Sequence, residues 1–171
     1  YIYAVEDMGP LDSQFFSVNI FTGEYTDLGP THPGVDIEGI DTHPVTGELY
    51  GAGGDTLADG GPIFRIDRET GELTLLGYTG HGNQVGASFR PTDNTFWVMV
   101  ESVGIYVVDL TNPANNTEML ALSGYNTPGG IAWNADGSLL SVTVNTPGPD
   151  QLYVYNPADG RFSLLSPRAF R

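Results

Sequence analysis

Cysteine and lysine are both absent from this 171-residue chain. Without cysteine there can be no disulfide and no thiolate chemistry, and the redox compartment leaves no mark on the sequence. Without lysine there is no Schiff-base amine and no P-loop cation. Positive charge is scarce throughout: six arginines stand against 21 acidic residues, a formal net charge of −15. Arg65, Arg68, Arg90, Arg161, Arg168 and Arg171 are scattered, so no basic stripe exists for a phosphate backbone and nucleic acid is disfavoured as a partner. An anionic membrane surface repels the chain for the same reason. Cations, basic proteins and neutral glycans remain. The acid excess fits an extracellular acidic protein, the commoner case, or adaptation to high salt.

Long apolar runs are missing too. The most apolar stretch, Phe96-Trp97-Val98-Met99-Val100, is far short of the roughly 18 residues a spanning helix needs, and no charged-then-apolar leader is visible. A soluble chain without membrane insertion is expected. It begins at Tyr1, the start expected of a processed, trimmed or excerpted polypeptide. Helical periodicity is lacking because 23 Gly and 12 Pro interrupt every candidate stretch.

What is present is a repeat. Four times a strand closes on an apolar residue followed by Asp or Asn: Val18-Asn19, Ile66-Asp67, Val108-Asp109 and Tyr155-Asn156, in steps of 48, 42 and 47 residues. That spacing belongs to four-stranded propeller blades of ~40 to 50 residues. Period-2 alternation resolves each unit into strands A to D, from inner to outer. The B strands read Ile2-Tyr3-Ala4-Val5, Leu49-Tyr50-Gly51-Ala52, Phe96-Trp97-Val98-Met99 and Leu139-Leu140-Ser141-Val142. The C strands end on the repeated motif, and the C to D hairpins carry Thr22-Gly23, Thr70-Gly71 and Asp159-Gly160, with a longer turn over 112–116 in the third unit. The A strands, near 35–41, 83–89 and 128–133, carry Gly39, Gly86 and Gly130, where a side chain would crowd the propeller axis.

Only three A strands accompany four sets of B, C and D. The expected architecture is therefore all-β: a β-propeller of four antiparallel repeats with the first inner strand missing. It forms a single domain or fragment over 1–171, divided into a partial blade at 1–30 and full blades at 31–80, 81–124 and 125–167. An unpaired strand edge invites another strand. The gap is filled by further blades of a larger propeller or by a neighbouring segment or chain, or the chain closes as a degenerate four-bladed ring.

Glu48-Leu49-Tyr50-Gly51, Ile63-Phe64-Arg65-Ile66-Asp67 and Thr70-Gly71-Glu72-Leu73-Thr74-Leu75-Leu76-Gly77 resemble the blade pattern of secreted and cell-surface microbial β-propellers, relatives of the NHL, surface-layer and gluconolactonase-like propellers. The resemblance implies an extracellular or cell-surface module, often one part of a longer protein.

Blade topology sorts the polar residues. The B to C and D to A loops gather on one rim, with Glu6, Asp7, Asp12, Asp55, Asp59, Glu101 and Asp150 beside His32, Tyr78, His81 and Tyr125. Such carboxylates hold Ca²⁺ or attract a basic partner when they converge, and otherwise are solvated loop acids. Asp36 and Glu38 stand at i and i+2 of one A strand and would serve as metal ligands or an acid–base pair, although the matching Val85 and Gly129 add no carboxylate. Gluconolactonase-like enzymes gather metal ligands from several blades, and this chain departs from them there. His32 and His43 read as turn residues in Thr-His-Pro. Asn115-Asn116-Thr117 is a glycosylation sequon at Asn115. No catalytic residue and no cofactor is assigned, calcium being the one ion the acids would suit. The sequence describes a non-enzymatic extracellular binding or scaffolding module that takes a protein or glycan at its loop rim. A metal-dependent lactonase or hydrolase, and a structural protomer completed by strand exchange in an extracellular polymer, stand as alternatives.

Overall fold

The apolar–polar alternation is realised as strands, and a computed structural model describes residues 1–9, 11–54, 60–127, 129–145 and 150–165. Among them there is no helix. Blade 1 contains β1 (Ile2–Gly9), β2 (Asp12–Val18) and β3 (Tyr25–Pro33). Blade 2 contains β4 (Ile37–Thr42), β5 (Leu49–Gly53), β6 (Pro62–Ile66) and β7 (Leu73–Tyr78). Blade 3 contains β8 (Gln84–Phe89), β9 (Phe96–Val100), β10 (Gly104–Val108) and β11 (Asn116–Ala121). Blade 4 contains β12 (Ile131–Trp133), β13 (Leu140–Val144), β14 (Gln151–Asn156) and β15 (Arg161–Leu164). Each sheet is an antiparallel meander in chain order, and the first has three strands where the others have four.

The repeated motif holds the register. Val18, Ile66, Val108 and Tyr155 pair with Ile2, Leu49, Phe96 and Leu140 respectively. Blade 4 therefore aligns one residue later than its sequence suggested: Leu140, not Leu139, matches Phe96, so Ser141 and Thr143 take the positions of Trp97 and Met99. The reason is the period of two, which sends every side chain to the opposite face after a slip of one residue. Leu140 is buried between blades where Leu139 would otherwise have been.

The polar residue after each apolar one has a local task. Asn19 Oδ1 accepts from the N–H of Phe21, Asp67 Oδ1 from those of Glu69 and Thr70, Asp109 Oδ1 from that of Thr111, and Asn156 Oδ1 from that of Ala158. These are Asx turns, and they aim the chain into the C to D hairpin. Gly23, Gly71 and Gly160 follow with φ of 75°, 69° and 69°, where a Cβ would be strained.

Three cores lie between blades. Phe15 and Leu28 of blade 1 meet Leu49, Phe64 and Ile66 of blade 2. Tyr50, Ala52 and Ile63 of blade 2 meet Phe96, Val98 and Val108 of blade 3. Trp97, Met99 and Ile105 of blade 3 meet Leu140, Val142 and Tyr155 of blade 4. Among the described residues no core joins blade 4 to blade 1, so the four blades form an open arc and not a degenerate closed ring.

The inner-strand glycines act differently from the expectation. A Cβ on Gly39 would lie 2.5 Å from Ala87 N and 2.7 Å from Gly86 C, and one on Gly86 would lie 3.0 Å from Gly130 Cα. They admit the next blade's inner strand, and it is that backbone rather than the axis that leaves no room for a side chain. Gly130, whose outward side meets nothing within 4 Å, marks the open end of the arc.

Candidate functional site

The antiparallel meander brings each B to C connection to the same end as the D to A connection, and hydrogen bonds weave these loops together. Gly34 N–H donates to Asp12 Oδ1 at 2.9 Å, Asn83 Nδ2 donates to Glu101 Oε2 at 2.6 Å, and Asn145 N–H donates to Asn126 O at 2.7 Å. Asp7 Oδ1 accepts from the Gly9 N–H at 2.9 Å. Three of the acids assigned to the rim, Asp7, Asp12 and Glu101, thus each give one oxygen to ordering a loop and leave the rest of the carboxylate for solvent or a partner. Glu6, Asp7 and Asp150 are exposed, and Asp12 and Glu101 are half-buried. Asp55 and Asp59 lie outside the described residues.

Asp36 and Glu38 do come together, although not as neighbours within one regular strand. Asp36 precedes β4, and Glu38 is the extra residue of a bulge between the pairs Ile37–Gly53 and Gly39–Ala52. Val85 forms the same bulge in blade 3. Both acids pack on Gly54, where a Cβ would collide with Asp36 Oδ2 and sit 3.1 Å from Glu38 Cγ; the Gly54 N–H donates to Asp36 O at 2.8 Å. Among the described residues no group of three His, Asp or Glu is placed to hold a metal ion.

The histidines serve turns and blade seams. His43 Nδ1 accepts from the N–H groups of Val45 and Thr46, both at 3.2 Å, and His32 Nε2 lies 2.9 Å from Gly71 O. His81 stacks on Tyr106 with centroids 4.2 Å apart and reaches Asn116 Oδ1. Trp97 is buried between blades, edge-on to Trp133. Asn115 is exposed on the C to D turn of blade 3, on the opposite rim from the acids.

A link that sequence reasoning missed joins the inner strands. Asp41 Oδ2 accepts from Phe89 N–H at 2.7 Å and from Ser88 Oγ at 3.2 Å, and Ser88 Oγ in turn lies 3.4 Å from Trp133 N. Asp41 and Ser88 are equivalent positions of β4 and β8, 47 residues apart in sequence. The signal was there as a polar residue two places after Gly39 and after Gly86.

Carboxylates at the hairpin turns carry the clearest electrostatic signature. The N–H groups of Thr70 and Glu69 hold Asp67 below the usual carboxylate range; the hydroxyl and N–H of Thr111 do so for Asp109, and those of Ser138 for Asp136. A folded-state pKa below the unfolded value stabilises the fold above about pH 4, and that contribution fades as pH falls through the lower folded value. Replacing Asp67, Asp109 and Asp136 by Asn keeps the accepting oxygen and removes the titration, as Asn19 and Asn156 already do in their own turns. The triple variant is expected to lose less thermal stability than the parent between about pH 5 and pH 3. Parallel curves of melting temperature against pH would refute this.

No family model matches the chain, and no curated protein matches it. Solved structures do. A chain of a nidogen/laminin complex superposes with a TM-score of 0.70 at 15% identity, over 91% of this chain and 58% of that one. An auxiliary nutrient-binding protein from Bacteroides ovatus gives a TM-score of 0.63 at 14% identity, over 92% and 39%. TolB from Acinetobacter baumannii gives 0.65 at 13%, over 93% and 41%. At such identities the likeness shows the β-propeller fold alone. The chain spans less than two thirds of the length of these chains.

Proposed function

We propose that this chain is a non-enzymatic, extracellular binding module of the secreted and cell-surface microbial propeller type, taking a basic protein segment or a glycan at its acidic loop rim. The observation that carries it is the placement of Glu6, Asp7, Asp12, Glu101 and Asp150 toward the B to C end of blades 1, 3 and 4, where Asp12 and Glu101 are each bonded to a D to A loop. The likeness to nutrient-binding proteins and to a chain of a nidogen/laminin complex supports a binding role. A strand from another segment or chain completes blade 1, whose sheet lacks its inner member.

The rim is tested against overall charge with a nona-arginine peptide and a neutral-glycan array. One variant carries Asp7→Asn, Glu101→Gln and Asp150→Asn; its control neutralises Glu69, Glu72 and Asp159 on the opposite rim. Peptide affinity is expected to fall about tenfold in the first and less than about twofold in the second, because close charge pairs count for more than a diffuse field. Equal losses would assign binding to net charge. Hydrolysis of a lactone or phosphoester by the pure protein, abolished by Glu38→Gln, would replace this reading with the hydrolase.

A further inference from the structure

The free flank of blade 1 carries apolar residues at blade-interface positions, beside the polar Glu6, Gln14 and Asp27. Ile2 is 57% exposed, while its equivalents Leu49, Phe96 and Leu140 are 1%, 1% and 0% exposed. Phe16 and Val18 on the same face are half-buried, and Tyr25 is exposed. Between β1 and β4 runs a cavity of about 420 Å³ lined by Tyr1, Ile2, Tyr3, Ile40, Asp41 and Thr42. It occupies the place where an inner strand of blade 1 would lie, paired to β1 and packed on β4 as β8 packs on β12. Ile40 is only half-buried there, whereas its equivalents Ala87 and Ile131 are buried.

One hydrogen bond records the vacancy. In blades 3 and 4 the N–H of Phe89 and of Trp133 reaches the polar side chain of the preceding inner strand, Asp41 and Ser88 respectively. The equivalent N–H in blade 2 belongs to Thr42, and it turns back to its own neighbour, Asp41 Oδ1, at 2.7 Å.

We propose that this flank and slot are a docking surface for one occupant, a further blade of the same repeat. Its inner strand carries glycine, an apolar residue and then Asp or Ser, the last accepting from Thr42 N–H. Its covering face carries an aromatic and an aliphatic residue at the positions of Tyr50 and Ala52 or of Trp97 and Met99. Three internal interfaces show what covers this kind of face, and each is covered by such a blade. A second copy docking through its own open end is a poorer fit, because blade 4 presents Ser141 and Thr143 at those positions. The inference rests on the reading that a strand is supplied from outside and adds what accompanies it.

The repeat itself designs the test. Ile2 is equivalent to Phe96, so a duplicate of residues 31–94 fused ahead of Tyr1 sets a second Gln84–Phe89 opposite β1 in native register and a second Tyr50, Ala52 and Ile63 over the flank. Amide exchange of β1 and of Thr42 is expected to slow by about tenfold or more, and the melting temperature to rise. A control duplicate carries Tyr50→Ser and Ala52→Thr in the added copy alone. Equal melting temperatures for the two forms, with β1 and Thr42 protected in both, would overturn the covering face and leave the supplied strand standing. Protection in neither would overturn both, and so would failure of a peptide spanning residues 82–90 to slow exchange at Thr42 of the unmodified chain if the fusion does not fold. A stable dimer of the unmodified chain that Ile2→Asp returns to monomer would assign the flank to a second copy and overturn the proposal.

Discussion

Gly39→Ala is expected to destabilise the protein by about 3 kcal/mol, at the upper end of overpacking costs, while the same change at Gly130 shifts stability by less than about 0.5 kcal/mol. The two glycines hold equivalent positions, Gly39 on β4 and Gly130 immediately before β12. At Gly39 the new methyl would stand 2.5 Å from Ala87 N, and the obstacle is backbone that cannot rotate away. At Gly130 nothing lies within 4 Å. Urea unfolding of the two variants beside the parent checks the contrast, with the midpoint moving and the slope unchanged. Equal losses at both sites would mean that something packs against Gly130 and that the arc is not open there.

Trp97→Ala is expected to cost about 3 to 5 kcal/mol, the range for truncating a buried large aromatic side chain. Trp97 is 2% exposed, lies between blades 3 and 4, stands edge-on to Trp133 at 4.9 Å and donates from Nε1 to Thr95 Oγ1 at 2.8 Å. Its removal opens the seam between the blades and strips contacts from Leu140 and Tyr155 in the same core. Against a typical total of about 5 to 15 kcal/mol, such a loss leaves a marginal fold. A thermal or urea midpoint within error of the parent would show that blade 4 does not pack as described.

The recurrence of turn chemistry at Asn19, Asp67, Asp109 and Asn156 made the blades legible, because an Asx turn and a following glycine are local events written in a few consecutive residues. Strand register in blade 4 was less so: Leu139 and Leu140 are alike in type, and only pairing with Tyr155 distinguishes them. The bulges at Glu38 and Val85 leave no local mark, since the extra residue exists only relative to the partner strand. On the rim, the acids were visible as residues. Their bonds to Gly9, Gly34 and Asn83 were not, because two of the three come from a different loop.

By itself the amino-acid sequence determined the strand content, the four-fold repetition, the missing inner strand and the overwhelming negative charge, all of which depend on spacing and composition. Tertiary structure alone decided that the repeats form an open arc, that Asp41 and Ser88 chain the inner strands together, and that Thr42 bonds back to Asp41 beside an uncovered slot. The physical reason is range: turns and alternation act over two to five residues, whereas blade seams join backbone atoms some 47 residues apart, where only the packed chain sets which groups meet.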